Sequence, residues 1–173
     1  MGDSIPYWAG ERAIARSRPD LRIPKMGIGW YGIRGMGLND LIHSVQLRVL
    51  FQPSPRVIVV HLGGNDLLDM SNYKIFRRIR GGLRYLAAAC SEATIIWVDI
   101  LQRAQWTAAQ EGKRRRVNQY GRQQARLLKK SATIAVDIDL STPGFYRPDG
   151  VHLSEVGLEF YLDTLRDAIL AHI

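Results

Sequence analysis

The chain is poor in the residues that would staple it. Its 173 residues include one cysteine, Cys90, so no disulfide forms within it. That excludes the small disulfide-framed domains and suits a reducing compartment. No apolar run reaches the roughly 18 residues that a membrane-spanning helix needs. The opening Met1-Gly2-Asp3-Ser4-Ile5-Pro6 lacks the basic, then apolar, character of a signal peptide, which points to the cytoplasm. The histidines and the cysteine show no metal-ligand spacing, so neither metal nor other cofactor is expected. Acids are scarce in one place. Between Arg103 and Lys130 stand nine basic residues and a single acid, Glu111, which gives that segment the chain's whole net charge of +8. With no repeat, low-complexity tract or linker to divide it, 1–173 reads as one domain, large enough to bury a sizeable core.

What is present alternates between two periodicities. Val57–Leu62, Thr94–Leu101 and Thr133–Ile138 are apolar runs rich in β-branched residues and read as buried strands. Between them lie stripes at helical spacing. One is Leu38, Leu41, Ile42, Val45 and Val49; another is Ile75, Ile79, Leu83, Leu86 and Cys90. A third comprises Val117, Tyr120, Leu127 and Leu128 with Gln124, on a helix from about Gly112 to Lys130. Ser154 caps a last helix with Leu158, Tyr161, Leu162, Leu165 and Ile169 inward, and residues 5–17 read as a helix opening on Pro6. Strands alternating with helices imply a mostly parallel sheet covered on both faces. Ligands of such sheets sit beyond the carboxyl ends of the strands.

The chemistry-bearing residues lie in such loops. Gly2-Asp3-Ser4 leads into a helix, and Gly29 to Gly35 runs into the helix near Leu38. Gly63-Gly64-Asn65-Asp66 follows the first strand, and Asp149-Gly150-Val151-His152 follows the third. Acyl transfer by a hydroxyl needs a base, and the base needs an orienting carboxylate. Asp149 and His152 are spaced to supply both across a glycine turn. Ser4, at a helix start, has an outward amide and the positive end of the helix dipole nearby. The Gly35 N–H and the Asn65 amide are suitable donors for an oxyanion. Each loop alone has a plainer reading: Gly-Gly-Asn-Asp as a turn, His61 as a core histidine, and His43 and His172 as surface or packing residues.

Together and in this order, Gly-Asp-Ser, Gly-Ile-x-Gly (Gly32 to Gly35), Gly-x-Asn-Asp and Asp-x-x-His resemble the blocks of the SGNH/GDSL serine esterases. They span residues 2–157. Asp149 to Gly157 is also similar to the segment of acetylhydrolases that act on platelet-activating-factor-like lipids. The resemblance implies a three-layer α/β/α flavodoxin-like fold. It makes Ser4 the nucleophile, His152 the general base and then acid, and Asp149 its orienting carboxylate. It assigns the oxyanion hole to the Ser4 N–H, the Gly35 N–H and the Asn65 side chain. The substrate it implies is a short acyl, acetyl-type ester, on a lipid or a sugar. The Gly-x-Ser-x-Gly elbow of α/β-hydrolases is absent.

Ser4 to Ala9 and Trp30 to Met36 further resemble the esterase domain in first-open-reading-frame proteins of LINE-type retrotransposons, which implies a ribonucleoprotein particle as the setting. One departure stands out: the family places a buried strand immediately before Gly-Asp-Ser, and that strand is absent upstream of Ser4 here. The basic helix leaves two readings open. Arg115, Arg122, Arg126 and Lys129 form either a solvated outer face or a phosphate-contacting one for nucleic acid or anionic membrane, the latter making the domain a catalytically weak binding module.

Overall fold

The β-branched runs pair side by side because parallel neighbours are joined by helices that cover both sheet faces. The computed structural model describes residues 1–173. Its strands are β1 (Val57–Val60), β2 (Thr94–Val98) and β3 (Ser131–Ile134), all parallel, in the order β1-β2-β3. The helices are α1 (Ser4–Ala15), α2 (Leu41–Arg48, entered through a 3₁₀ turn at Leu38–Asp40), α3 (Asn72–Ala89), α4 (Ala108–Arg126) and α5 (Glu155–Leu170).

The alternation along β2 divides the core. Ile95 and Trp97 pack with Val45, Ile79, Leu83 and Val117 under α2, α3 and α4. Ile96 and Val98 point the other way, to Ile5, Ala9, Leu158 and Leu162 under α1 and α5. Three layers result, α/β/α, as the resemblance implies.

No regular strand precedes Ser4, but Met1–Asp3 bridge the segments on either side. The Met1 amine donates to Val59 O (2.7 Å), His61 N donates to Met1 O (3.1 Å) and Asp3 N donates to His61 O (3.3 Å). On its other side Gly2 N donates to Tyr31 O (3.1 Å), and Ile33 N donates to Gly2 O (2.9 Å). The sheet thus extends past β1 through Met1–Asp3 to the Tyr31–Ile33 segment. Beyond Met1, the edge of β1 at Val57 and Val59 borders a cleft of about 650 Å³, which Ile28, Trp30, His61 and Tyr161 also line.

Two stripes differ from expectation. Ile42 is exposed on α2, beside rather than within the buried set Leu41, Ser44 and Val45. On α4 the inward residues are Val117, Asn118, Gly121 and Ala125, and Leu127 is 74% exposed. The helix ends at Arg126 with Leu127 as its cap, so the helical period no longer governs the last leucines. Asn118 is buried because its amide bonds both Ile100 N (2.9 Å) and Ile100 O (3.0 Å). Gly121 leaves room for the Trp97 indole, which a Cβ there would meet at 2.3 Å. In the basic stripe Arg115, Arg126 and Lys129 are exposed, whereas Arg122 is half-buried and bonded to Asp99 at the end of β2.

Candidate active site

Four loops converge beyond the carboxyl ends of the strands. At the first, the Asp3 carboxylate caps α1 by accepting from Ile5 N (3.0 Å), which leaves Ser4 as the first helical residue. The first amides of a helix have no partner within it, so the Ser4 N–H is available to a ligand. Asp3 and Ser4 are both buried.

The fourth loop is a tight turn. Gly150 N donates to Arg147 O (2.9 Å), and Arg147 N donates to His152 O (2.8 Å). Gly150 sits at φ +61°, and a Cβ there would come within 2.3 Å of Ala104, so only glycine fits without strain. The turn presents Asp149 to His152 twice over: Oδ2 lies 2.8 Å from the imidazole Nδ1, and Oδ1 accepts from the His152 and Val151 amides at 2.9 Å each. Partial burial pushes the Asp149 carboxyl up, but these bonds and the imidazole charge outweigh it and hold it at about 2. With Nδ1 engaged, the free nitrogen of His152 is Nε2. The Arg147 guanidinium lies 4.5 Å over the Trp8 ring, which ties the turn to α1. Burial raises the Asp3 carboxyl against the pull of its bond from Ile5 N and of the nearby Arg103 charge. Ser4 Oγ and His152 are not hydrogen-bonded to each other; the one side-chain bond of His152 is to Asp149.

The second and third loops are stitched together by neighbouring side chains. Asn65 Nδ2 donates to Met36 O (3.0 Å), one residue from Gly35, which stands exposed at φ +79° with open space around it. An amide nitrogen carries two hydrogens, so one stays free. Asp66 holds the same loop from the other side, both carboxylate oxygens accepting from Leu38 N (3.1 and 3.0 Å).

Asp66 also yields a pH prediction. Burial, with the nearby Asp40 and Asp3 charges, raises its carboxyl to about 6 against the pull of the Leu38 bond. An unfolded carboxylate titrates near about 3.9. The folded state therefore holds the proton more tightly, and stability falls as pH rises between those values. Asp66→Asn keeps an acceptor for Leu38 without the charge. Its melting temperature gains on the wild type as pH rises from about 4 to about 6 and holds its lead above that. A gap that stays constant over this range contradicts the assignment.

Arg103 is the site residue that sequence reasoning missed, counting it only among the basic residues. Its guanidinium donates to Asn65 Oδ1 (2.9 Å) and lies 5.2 Å over Trp106. A Cβ on Gly64 would meet it at 2.8 Å. Its position just after β2 was the available signal, because that is where the topology puts ligand-facing loops. Trp106 is half-buried beneath it. His61 is a core residue as expected: its Nδ1 is 2.8 Å from the Tyr161 hydroxyl, and burial lowers it to about 3, so it stays neutral. The 650 Å³ cleft takes in none of Ser4, Asp149 and His152.

A sequence model of the GDSL-like lipase/acylhydrolase family matches residues 1–159. No curated protein sequence matches. Among solved structures, a GDSL-like lipase from Bacteroides thetaiotaomicron superposes with a TM-score of 0.78 at 19% identity, covering 100% of this chain and 87% of its own. A lipase/acylhydrolase from Enterococcus faecalis gives 0.71 at 19%, covering 97% and 92%. An acetyl esterase mutant holding an acetate ion gives 0.68 at 18%, covering 99% and 94%. At these identities the structures establish the fold alone.

Proposed function

The chain belongs to the GDSL-like lipase/acylhydrolase family and is a carboxylic ester hydrolase, and we propose that it cleaves short acyl esters with Ser4 as nucleophile. His152 Nε2 takes the Ser4 proton as Oγ attacks the ester carbonyl. The charge that develops on the carbonyl oxygen is met by the Ser4 N–H, the Gly35 N–H and the free Asn65 amide hydrogen. His152 then gives the proton to the departing alcohol, leaving an acyl-serine, and activates the water that hydrolyses it. The observation that carries this reading is the Asp149–His152 pair, bonded at 2.8 Å in a turn that also fixes the carboxylate with two amides. Catalytic hydrogen bonds often tighten only with substrate bound, so the unbonded Ser4 hydroxyl is compatible with it.

An acetyl-sized acid part, carried on a lipid or a sugar, is the substrate class favoured here; the acetate held by the structurally similar acetyl esterase supports it. Hydrolysis of p-nitrophenyl esters of rising chain length tests this. The acetate is cleaved fastest and the rate declines with length; failure to cleave any of them, or a preference for long chains, overturns the reading.

Asn65→Ala removes one oxyanion donor. The expected result is a fall in kcat of about 10²–10³ with KM little changed. Melting temperature is measured alongside, since the substitution also breaks the bonds to Met36 and Arg103. A normal kcat with only a lower melting temperature would reduce Asn65 to a turn residue.

A further inference from the structure

The layer of α3 and α4 carries far more positive charge than its sequence segments show one at a time. α3 holds Lys74, Arg77, Arg78, Arg80 and Arg84 and no acid; α4 holds six basic residues and one acid, Glu111. The opposite layer is unlike it: α5 has Glu155, Glu159, Asp163 and Asp167 against Arg166. Not all of the cations are free. Arg114 is bonded to Glu111 and Arg122 to Asp99, and Lys113 donates to the Leu67 and Met70 carbonyls. Arg77, Arg80 and Arg84 on α3, and Arg115, Arg116 and Arg126 on α4, are exposed and make no ion pair.

These six lie on adjoining helices. Phe76 of α3 stacks on Tyr120 of α4, with centroids 4.2 Å apart and planes at 14°, and so fixes the seam. Arg80 and Arg84 follow Phe76 by one and two turns, and Arg116 precedes Tyr120 by one, so cations flank the seam along its length. At its start Tyr73 is 68% exposed, with the Arg77 guanidinium 5.7 Å from its ring. An exposed ring beside unpaired guanidiniums is the arrangement that stacks a base while its phosphates are neutralised. Besides Tyr73, the exposed large apolar side chains at this layer are Leu68, ahead of α3, and Leu127, at the end of α4, two separate residues that give a bilayer little to bury.

We propose that the α3–α4 face is a binding surface for single-stranded nucleic acid, with Arg77, Arg80, Arg84 and Arg116 on phosphates and Tyr73 stacked on a base. The surface is separate from the esterase chemistry and does not depend on it.

Fluorescence anisotropy with a labelled oligouridine tests this on the whole chain, beside a co-sedimentation assay with phosphatidylserine vesicles. The wild type binds the oligonucleotide at about 50 mM salt, and log affinity falls linearly with log salt, by about 0.7 per neutralised phosphate. Changing Arg77, Arg80, Arg84 and Arg116 together to Glu lowers affinity at least about 100-fold and flattens the salt slope. Hydrolysis of p-nitrophenyl acetate is unchanged, which shows that the variant is folded. Tyr73→Ala weakens binding about 5- to 100-fold and leaves the salt slope unaltered, a separation that mere loss of charge does not give. No binding by the wild type, equal binding by the four-residue variant, an unaffected Tyr73→Ala, or capture by vesicles without the oligonucleotide would overturn the proposal.

Discussion

Ser4→Ala is expected to lower kcat for a short acyl ester by about 10⁴–10⁶, leaving only what binding and the oxyanion donors supply. The fold should survive. The Asp3 carboxylate, not Ser4, caps α1 through Ile5 N, and the Ser4 hydroxyl makes no structural hydrogen bond. Steady-state hydrolysis of p-nitrophenyl acetate and a thermal melt on the same preparation read the two effects apart. A large loss of rate with an unchanged melt identifies the nucleophile; wild-type turnover in the alanine variant removes Ser4 from the mechanism.

Asp149→Asn is expected to cost about 10⁴ in kcat. Asparagine keeps a side-chain oxygen for the Val151 and His152 amides, so the turn is retained. What it removes is the anion beside Nδ1, which selects the tautomer with Nε2 free and stabilises the imidazolium formed during attack. Because the carboxyl is held at about 2, Asp149 is ionised wherever the folded enzyme is assayed. A change of activity between neutral pH and about pH 4 therefore does not come from Asp149. The depressed value also carries a stability consequence of defined sign. Its contribution is present above the unfolded carboxylate value of about 3.9 and is lost as pH falls through about 2. The asparagine variant should accordingly melt like the wild type in strong acid and below it at neutral pH. A kcat within tenfold of wild type would show that the Asp149–His152 contact is structural only.

The parts of the site that sequence made legible are those whose signal is local. Asp149 and His152 share one turn, Ser4 opens a helix, and the strands announce themselves as β-branched runs. What sequence hid are partnerships between distant segments. Arg103 joins Asn65 across 38 positions, and nothing in its neighbourhood separates it from the other cations near α4. Asp66 reads as the end of a turn until its carboxylate is seen to hold the Leu38 amide. Arg122 fits the outer stripe of α4 by period alone, yet Asp99 draws it inward. The cations of α3 do not stand out in sequence because the apolar stripe on that helix, with all five members buried, accounts for its pattern. Only the Phe76–Tyr120 stack reveals that they adjoin those of α4. For Leu127 a period projected past the last turn predicts burial where the chain has already left the helix.

Labelling with a fluorophosphonate, followed by mass spectrometry of the proteolytic peptides, tests the assignment of the nucleophile most directly. Such a probe forms a stable adduct only with a hydroxyl activated by a base and met by oxyanion donors. The expected result is one adduct, on the peptide that begins at the N-terminus, with the phosphonyl group on Ser4, absent in Ser4→Ala and strongly reduced in His152→Ala. An adduct on any other serine, or labelling undiminished in Ser4→Ala, would contradict it.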